Sequence, residues 1–126
     1  MAYEILHGLK SFNAAASFSS PTDKQYTFVN LNSDGEVETS SEGGYAVGVM
    51  QEKPGAGEPG QVCGPGSVSQ IQCGGDFDPG DDIASDSDGK AVQAVSSGDA
   101  ILGVAVEAGE SGIISTILYQ PKGSVA

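Results

Sequence analysis

Hydrophobic positions in this chain fall into short runs rich in Val, Ile, Tyr and Phe, and each run is closed by glycine, proline, asparagine or aspartate. That is the signature of many short strands joined by turns. Residues 25–31 (Gln-Tyr-Thr-Phe-Val-Asn-Leu) open the regular part, and Asn32-Ser33-Asp34-Gly35 ends the run with a strong turn signal. Strands are then predicted over 36–40, 45–51, 61–63, 68–73 and 91–95, with Ile83 in a short apolar run between the last two. Residues 53–60, Lys-Pro-Gly-Ala-Gly-Glu-Pro-Gly, are predicted to be an exposed loop, because proline removes ladder donors and glycine carries too much backbone freedom. The clearest unit is 98–118, where the β-branched runs 101–106 and 113–118 flank Ala-Gly-Glu-Ser-Gly, the composition of a hairpin turn. Gly109 and Gly112 bracket that turn and Gly103 interrupts its first strand, so all three are predicted to be structural positions. The tail after Pro121 is expected on the surface.

A degenerate copy of this hairpin lies upstream. Val47-Gly48-Val49 answers Leu102-Gly103-Val104, and Ser33-Asp34-Gly35 answers Ser87-Asp88-Gly89, at offsets of 55 (103 − 48) and 54 (88 − 34) residues. Matching Gly57-Glu58-Pro59-Gly60 to Gly109-Glu110-Ser111-Gly112 lowers the offset to 52 (112 − 60), which implies three extra residues in the first copy, in the loop 51–57. The chain thus reads as an internal duplication, with weak repeats at about 27–75 and 77–120. A Gly/Ser-rich β sequence can also produce such matches by chance. Two units of about fifty residues are too few for a solenoid and are expected to pack as one sandwich or small barrel.

Residues 1–24 have a different character. Five of the eight aromatic residues (Tyr3, Phe12, Phe18, Tyr26, Phe28) fall in the first 28 positions, and 11–22 is an uncharged run of Ser, Ala, Asn and Pro. The segment has anchors (Tyr3, Ile5, Leu6, Leu9, Phe12 and Phe18) but no periodicity. It reads as an extended N-terminal arm ordered by lying on another surface, with 25–126 as the β domain. A disordered leader, or an edge strand folded onto its own body, are the alternatives.

Composition narrows the function. The 126 residues suit one domain and bury about two thirds of the unfolded surface. Nineteen glycines, six prolines and no tryptophan argue for an all-β class with many turns. The net charge of −12 falls entirely within 31–126, since Glu4, Asp23, Lys10 and Lys24 cancel. With no arginine and an acidic body, binding to phosphate backbones or anionic lipid is disfavoured, so neither nucleic acid nor membrane is an expected partner. No segment approaches the roughly twenty apolar residues of a membrane span, and the first residues lack the pattern of a secretion signal.

Candidate chemistry is sparse. Asp76, Asp78, Asp81, Asp82, Asp86 and Asp88 invite a calcium reading, but aligning Asp86, Asp88 and Gly89 with an EF-hand loop puts Ala84 first and Val95 last, where ligands are needed. A solvated acidic turn is the better reading, and a calcium site of another kind stays open. Cys63 and Cys73 cannot make a zinc site with only His7 to help. They are close enough in sequence to face each other as a disulfide, or to remain two half-buried thiols. A lone histidine and no Gly-x-Ser-x-Gly elbow leave nucleophilic catalysis unsupported, and the glycine-rich stretches lack the Lys-Ser/Thr ending of a phosphate loop. The expectation is a non-enzymatic protein without cofactor or metal.

The run Phe77-Asp-Pro-Gly-Asp-Asp-Ile, followed by Ser-Asp-Gly-Lys-Ala-Val-Gln-Ala and Gly-Asp-Ala-Ile-Leu-Gly-Val-Ala-Val-Glu-Ala-Gly-Glu-Ser-Gly, resembles the capsid decoration (cement) proteins of tailed bacteriophages. The resemblance is strongest over 77–120, weaker over 27–75, and does not cover the arm. It implies a small β-sandwich or β-tulip domain assembled as a homotrimer at three-fold and local three-fold positions on the outer surface of the virion head. There it would clamp neighbouring major capsid subunits, after assembly in the bacterial host cytoplasm. The arm anchors would then meet the major capsid protein or a neighbouring subunit. A carbohydrate-binding or adhesive module is the runner-up; it needs exposed aromatics on the body, and only Tyr45, Phe77 and Tyr119 are available.

Overall fold

A computed structural model describes residues 5–126. The described residues form ten short strands and no helix: β1 (Lys10–Asn13), β2 (Phe28–Leu31), β3 (Val37–Thr39), β4 (Gly48–Met50), β5 (Pro59–Cys63), β6 (Ser67–Gln72), β7 (Asp82–Ser85), β8 (Ala91–Gln93), β9 (Gly103–Ala105) and β10 (Ile114–Tyr119). They make two antiparallel five-stranded sheets, sheet 1 in the order β1-β5-β4-β2-β3 and sheet 2 in the order β6-β10-β9-β7-β8. Adding five to each strand of sheet 1 generates sheet 2. The fold is an all-β sandwich made of two copies of one unit.

The duplication reaches individual hydrogen bonds. In the β2–β3 turn, Asn32 Oδ1 accepts the amides of Asp34 and Glu36 at 2.9 and 3.0 Å; in the β7–β8 turn, Asp86 Oδ1 accepts those of Asp88 and Lys90 at 2.8 and 2.9 Å. Gly35 and Gly89 then take positive φ at 76° and 73°, which is why Asp-Gly recurs in both copies. Gly48 and Gly103 also answer each other. A Cβ on either would collide with a backbone carbonyl of the neighbouring strand, that of Cys63 or of Leu118.

The phase of the repeat differs from the one predicted. Ala14 bridges Val37 in parallel as Cys73 bridges Ala91. The Phe18 amide donates to the Pro54 carbonyl at 2.8 Å, as that of Phe77 donates to Gly109 at 3.2 Å. Each unit therefore starts with β1 or β6, and residues 10–18 belong to the first unit as 69–77 belong to the second. The predicted division at 24/25 is corrected, because β1 pairs with β5 in the register Lys10↔Val62 to Asn13↔Pro59. The edge-strand alternative is the one realised. The three-residue insertion is also corrected. Gly57 (φ 78°) is the counterpart of Gly112 (φ 88°), their amides donating to Ala14 and Cys73, so the offset stays at 55 (112 − 57). Glycine composition alone could not tell Gly57 from Gly60. Strand β5 begins inside the predicted loop, at Pro59, where the first position of a strand tolerates a missing N–H.

Each unit folds over a small core, and the alternation of the strands supplies it. Ala14, Phe18, Val29, Val37, Met50 and Val62 form one cluster. Their counterparts Cys73, Phe77, Ile83, Ala91, Ala105 and Ile117 lie in the other, which also takes in Phe28, Val49 and Cys63 from sheet 1. The second cluster thereby joins the two sheets. Tyr119 completes the junction, with its ring tilted against Phe28 at 6.3 Å between centroids and its hydroxyl donating to the Ala46 carbonyl at 2.8 Å.

Candidate attachment surface

The N-terminal segment ties the two sheets together. Ile5 exchanges both backbone hydrogen bonds with Val68, at 3.0 and 2.7 Å, on the open side of β6. The His7 amide donates to Ser67 Oγ at 2.8 Å, and its carbonyl accepts the Gly64 amide at 2.8 Å. The chain then turns through Gly8 (φ 61°) and continues into β1 on the edge of sheet 1. Edge strands present unpaired N–H and C=O groups, and this segment satisfies part of both edges.

The predicted arm anchors accordingly separate. Phe18 is buried at 2% exposure in the core of the first unit, and Phe12 is half-buried against it, so both face their own body. Their expected role on another surface is corrected: with a sheet edge available within the chain, the aromatic run covers that edge and fills the core beneath it. Leu6 is half-buried against the larger core. Ile5 and Leu9 remain open, at 48% and 45% exposure. Tyr3 lies outside the described residues.

Further apolar side chains are exposed on the body. Ile113, Ile114 and Val106 lie on and beside the β9–β10 hairpin, Val95 follows β8, and Tyr45, at 69%, precedes β4. An apolar offering from the body was not anticipated, because composition shows the acidic residues but not which aliphatic ones point outward. Of the three aromatics open to a carbohydrate-binding face, Phe77 and Tyr119 are buried and only Tyr45 is exposed.

Several of the acidic residues serve local structure. Asp81 Oδ2 accepts the Asp78 amide at 2.8 Å, Asp86 holds its turn, and Asp82 pairs with Lys122 at 2.9 Å. Among the described residues no three His, Cys, Asp or Glu side chains gather as metal ligands. Cys63 and Cys73 are both free and buried, and burial pushes the Cys73 thiol up from its ordinary value. Gly109 lies under the Phe77 ring, where a Cβ would collide with it, and Gly112 takes its positive φ in open space. A side chain would thus meet a different obstacle at each of these glycines: a backbone carbonyl at Gly103, the Phe77 ring at Gly109 and the positive φ itself at Gly112.

Comparison with protein-family models and with curated proteins finds no match. A solved phage structure shares the fold. The chain is similar to the N base of the head fiber gp8.5 of bacteriophage phi29, with a TM-score of 0.70 and 21% sequence identity, over 93% of this chain and 94% of that one. The match spans both repeats and is therefore a match of the whole duplicated architecture.

Proposed function

We propose that this chain is a structural protein of a bacteriophage head, standing on the outer surface of the capsid. In this reading it binds the major capsid protein as a homotrimer at three-fold and local three-fold positions and clamps neighbouring subunits. It calls for no catalysis and no cofactor. The observation that supports it is the similarity, over nearly the whole of both chains, to the base of a phage head fiber. The sequence resemblance to capsid decoration proteins over 77–120 points the same way. Among the described residues, Ile5 and Leu9 are the arm anchors exposed to meet the capsid or a neighbouring subunit, and three copies at a three-fold site would add three modest contacts into one firm attachment.

Cryo-electron microscopy of heads with and without the protein tests this directly. The expected result is added density on the outside of the shell at three-fold and local three-fold positions. Density elsewhere, or none, would refute the placement. Co-sedimentation with undecorated heads tests the contact residues: the double variant Ile5→Ser, Leu9→Ser should fold normally and bind more weakly. Binding equal to the parent chain would exclude these side chains as anchors.

A further inference from the structure

The two sheets differ in what covers equivalent rows of paired residues. In sheet 1, Phe28, Val49 and Cys63 stand opposite one another across β2, β4 and β5. All three are fully buried where the second unit packs on them. The counterpart row in sheet 2 is Asp82, Val104 and Leu118 across β7, β9 and β10. It continues from Leu118 to Val68 in β6, and from Val68 to Ile5.

Directly opposed residues project from the same face of a sheet. Ile5, Val68, Leu118 and Val104 therefore form one aliphatic stripe across sheet 2, with Ile114 farther along β10 on the same face. Val68, Leu118 and Val104 are only half-buried, and Ile5 and Ile114 are about half exposed. Two of the described acids beside the stripe are engaged. Asp82 pairs with Lys122 at 2.9 Å, and Glu107 accepts the Thr116 hydroxyl at 2.6 Å.

We propose that this stripe is the surface on which a second copy of the chain docks. The fold itself supplies the precedent, since the counterpart row of sheet 1 is covered by a unit of this same architecture. Charge bears on where two copies would meet rather than on the choice of occupant: chains of net charge −12 repel over most of their surface, and the stripe, aliphatic apart from Asp82 at one end, is where that repulsion is weakest. Its border carries both signs, Lys122 beside Asp82, so like charges need not face each other across the contact. This assignment rests on the homotrimer part of the proposed function and names the face that makes it.

Sedimentation equilibrium of the full chain at high micromolar concentration tests it, using Val104→Asp and Ile5→Asp, with Tyr45→Asp as a control and circular dichroism to confirm folding. The parent chain and the Tyr45 variant should self-associate, and both stripe variants should do so at least about tenfold more weakly. Should Val104→Asp fail to fold, Ile5→Asp decides, because Ile5 is exposed. A parent chain that stays monomeric, or stripe variants that associate like the parent, would overturn the proposal. So would stripe variants that self-associate normally yet lose head binding, since the stripe would then face the capsid. A parent chain that associates through the stripe but does not bind heads would sink the virion reading and leave this one standing.

Discussion

Replacing Phe18 with alanine removes the largest side chain from the core of the first unit, where it packs with Ala14, Val29, Val37, Met50 and Val62. Its exposure of 2% means that almost the whole ring is withdrawn from water. Truncating a buried phenylalanine costs about 3–5 kcal/mol, the transfer term plus the cavity it leaves. For a domain of this size each kcal/mol lowers the melting temperature by about 3–5 °C, so the expected drop is roughly 10–25 °C. Phe77→Ala should cost a similar amount, because Phe77 holds the same place in the second unit. Leu9→Ala, at an exposed position beside β1, should stay within about 0.5 kcal/mol of the parent. Thermal and urea unfolding followed by circular dichroism would measure all three. Deleting residues 1–20 belongs to the same test: it removes both β1 and Phe18, so the remainder should be unfolded or molten. A Phe18→Ala variant melting within about 2 °C of the parent, or a truncated chain with a cooperative parent-like transition, would refute the reasoning and return residues 1–20 to the role of a free arm.

Two further outcomes follow from the second unit and its junction with the first. Gly103→Val would drive a side chain into the backbone of β10 at Leu118 and Tyr119, which cannot yield as a side chain could, and should cost about 2–3 kcal/mol; Gly112→Ala meets no atom and should cost only the roughly 1 kcal/mol of its positive φ. Thermal melts that place both variants at the parent value would show the hairpin to be built differently. Burial, helped by the neighbouring Cys63, raises the Tyr119 phenol well above its ordinary value. A raised folded-state value means that the stabilisation is complete below the unfolded pKa of about 10 and is lost as the pH climbs beyond it. Urea midpoints compared between pH 8 and pH 11 should therefore fall more steeply for the parent than for Tyr119→Phe, and equal slopes would show that the phenol ionises without cost.

The β class, the turns and the existence of a repeat were all written in local chemistry. Asn32 to Gly35 and Asp86 to Gly89 turn because a short polar side chain caps the turn amides and glycine alone takes the positive φ without strain; both facts are local and legible. The β9–β10 hairpin follows in the same way from two β-branched runs around a glycine-bracketed turn. The phase of the repeat was not legible, because β1 and β6 share only a three-residue polar–apolar–polar pattern (Ser11-Phe12-Asn13 and Gln70-Ile71-Gln72), and only pairing with β5 and β10 shows that they hold the same place. Nor could the sequence separate an aromatic arm awaiting a partner from an edge strand that finds one within the chain. Phe12 and Phe18 are apolar in either case, and the choice depended on whether a complementary sheet edge and a space beneath it arose elsewhere in the fold. The same holds for the stripe on sheet 2. Ile5, Val68, Val104 and Leu118 are scattered over more than a hundred positions, and only strand register, a tertiary property, brings them into one row and leaves that row partly open.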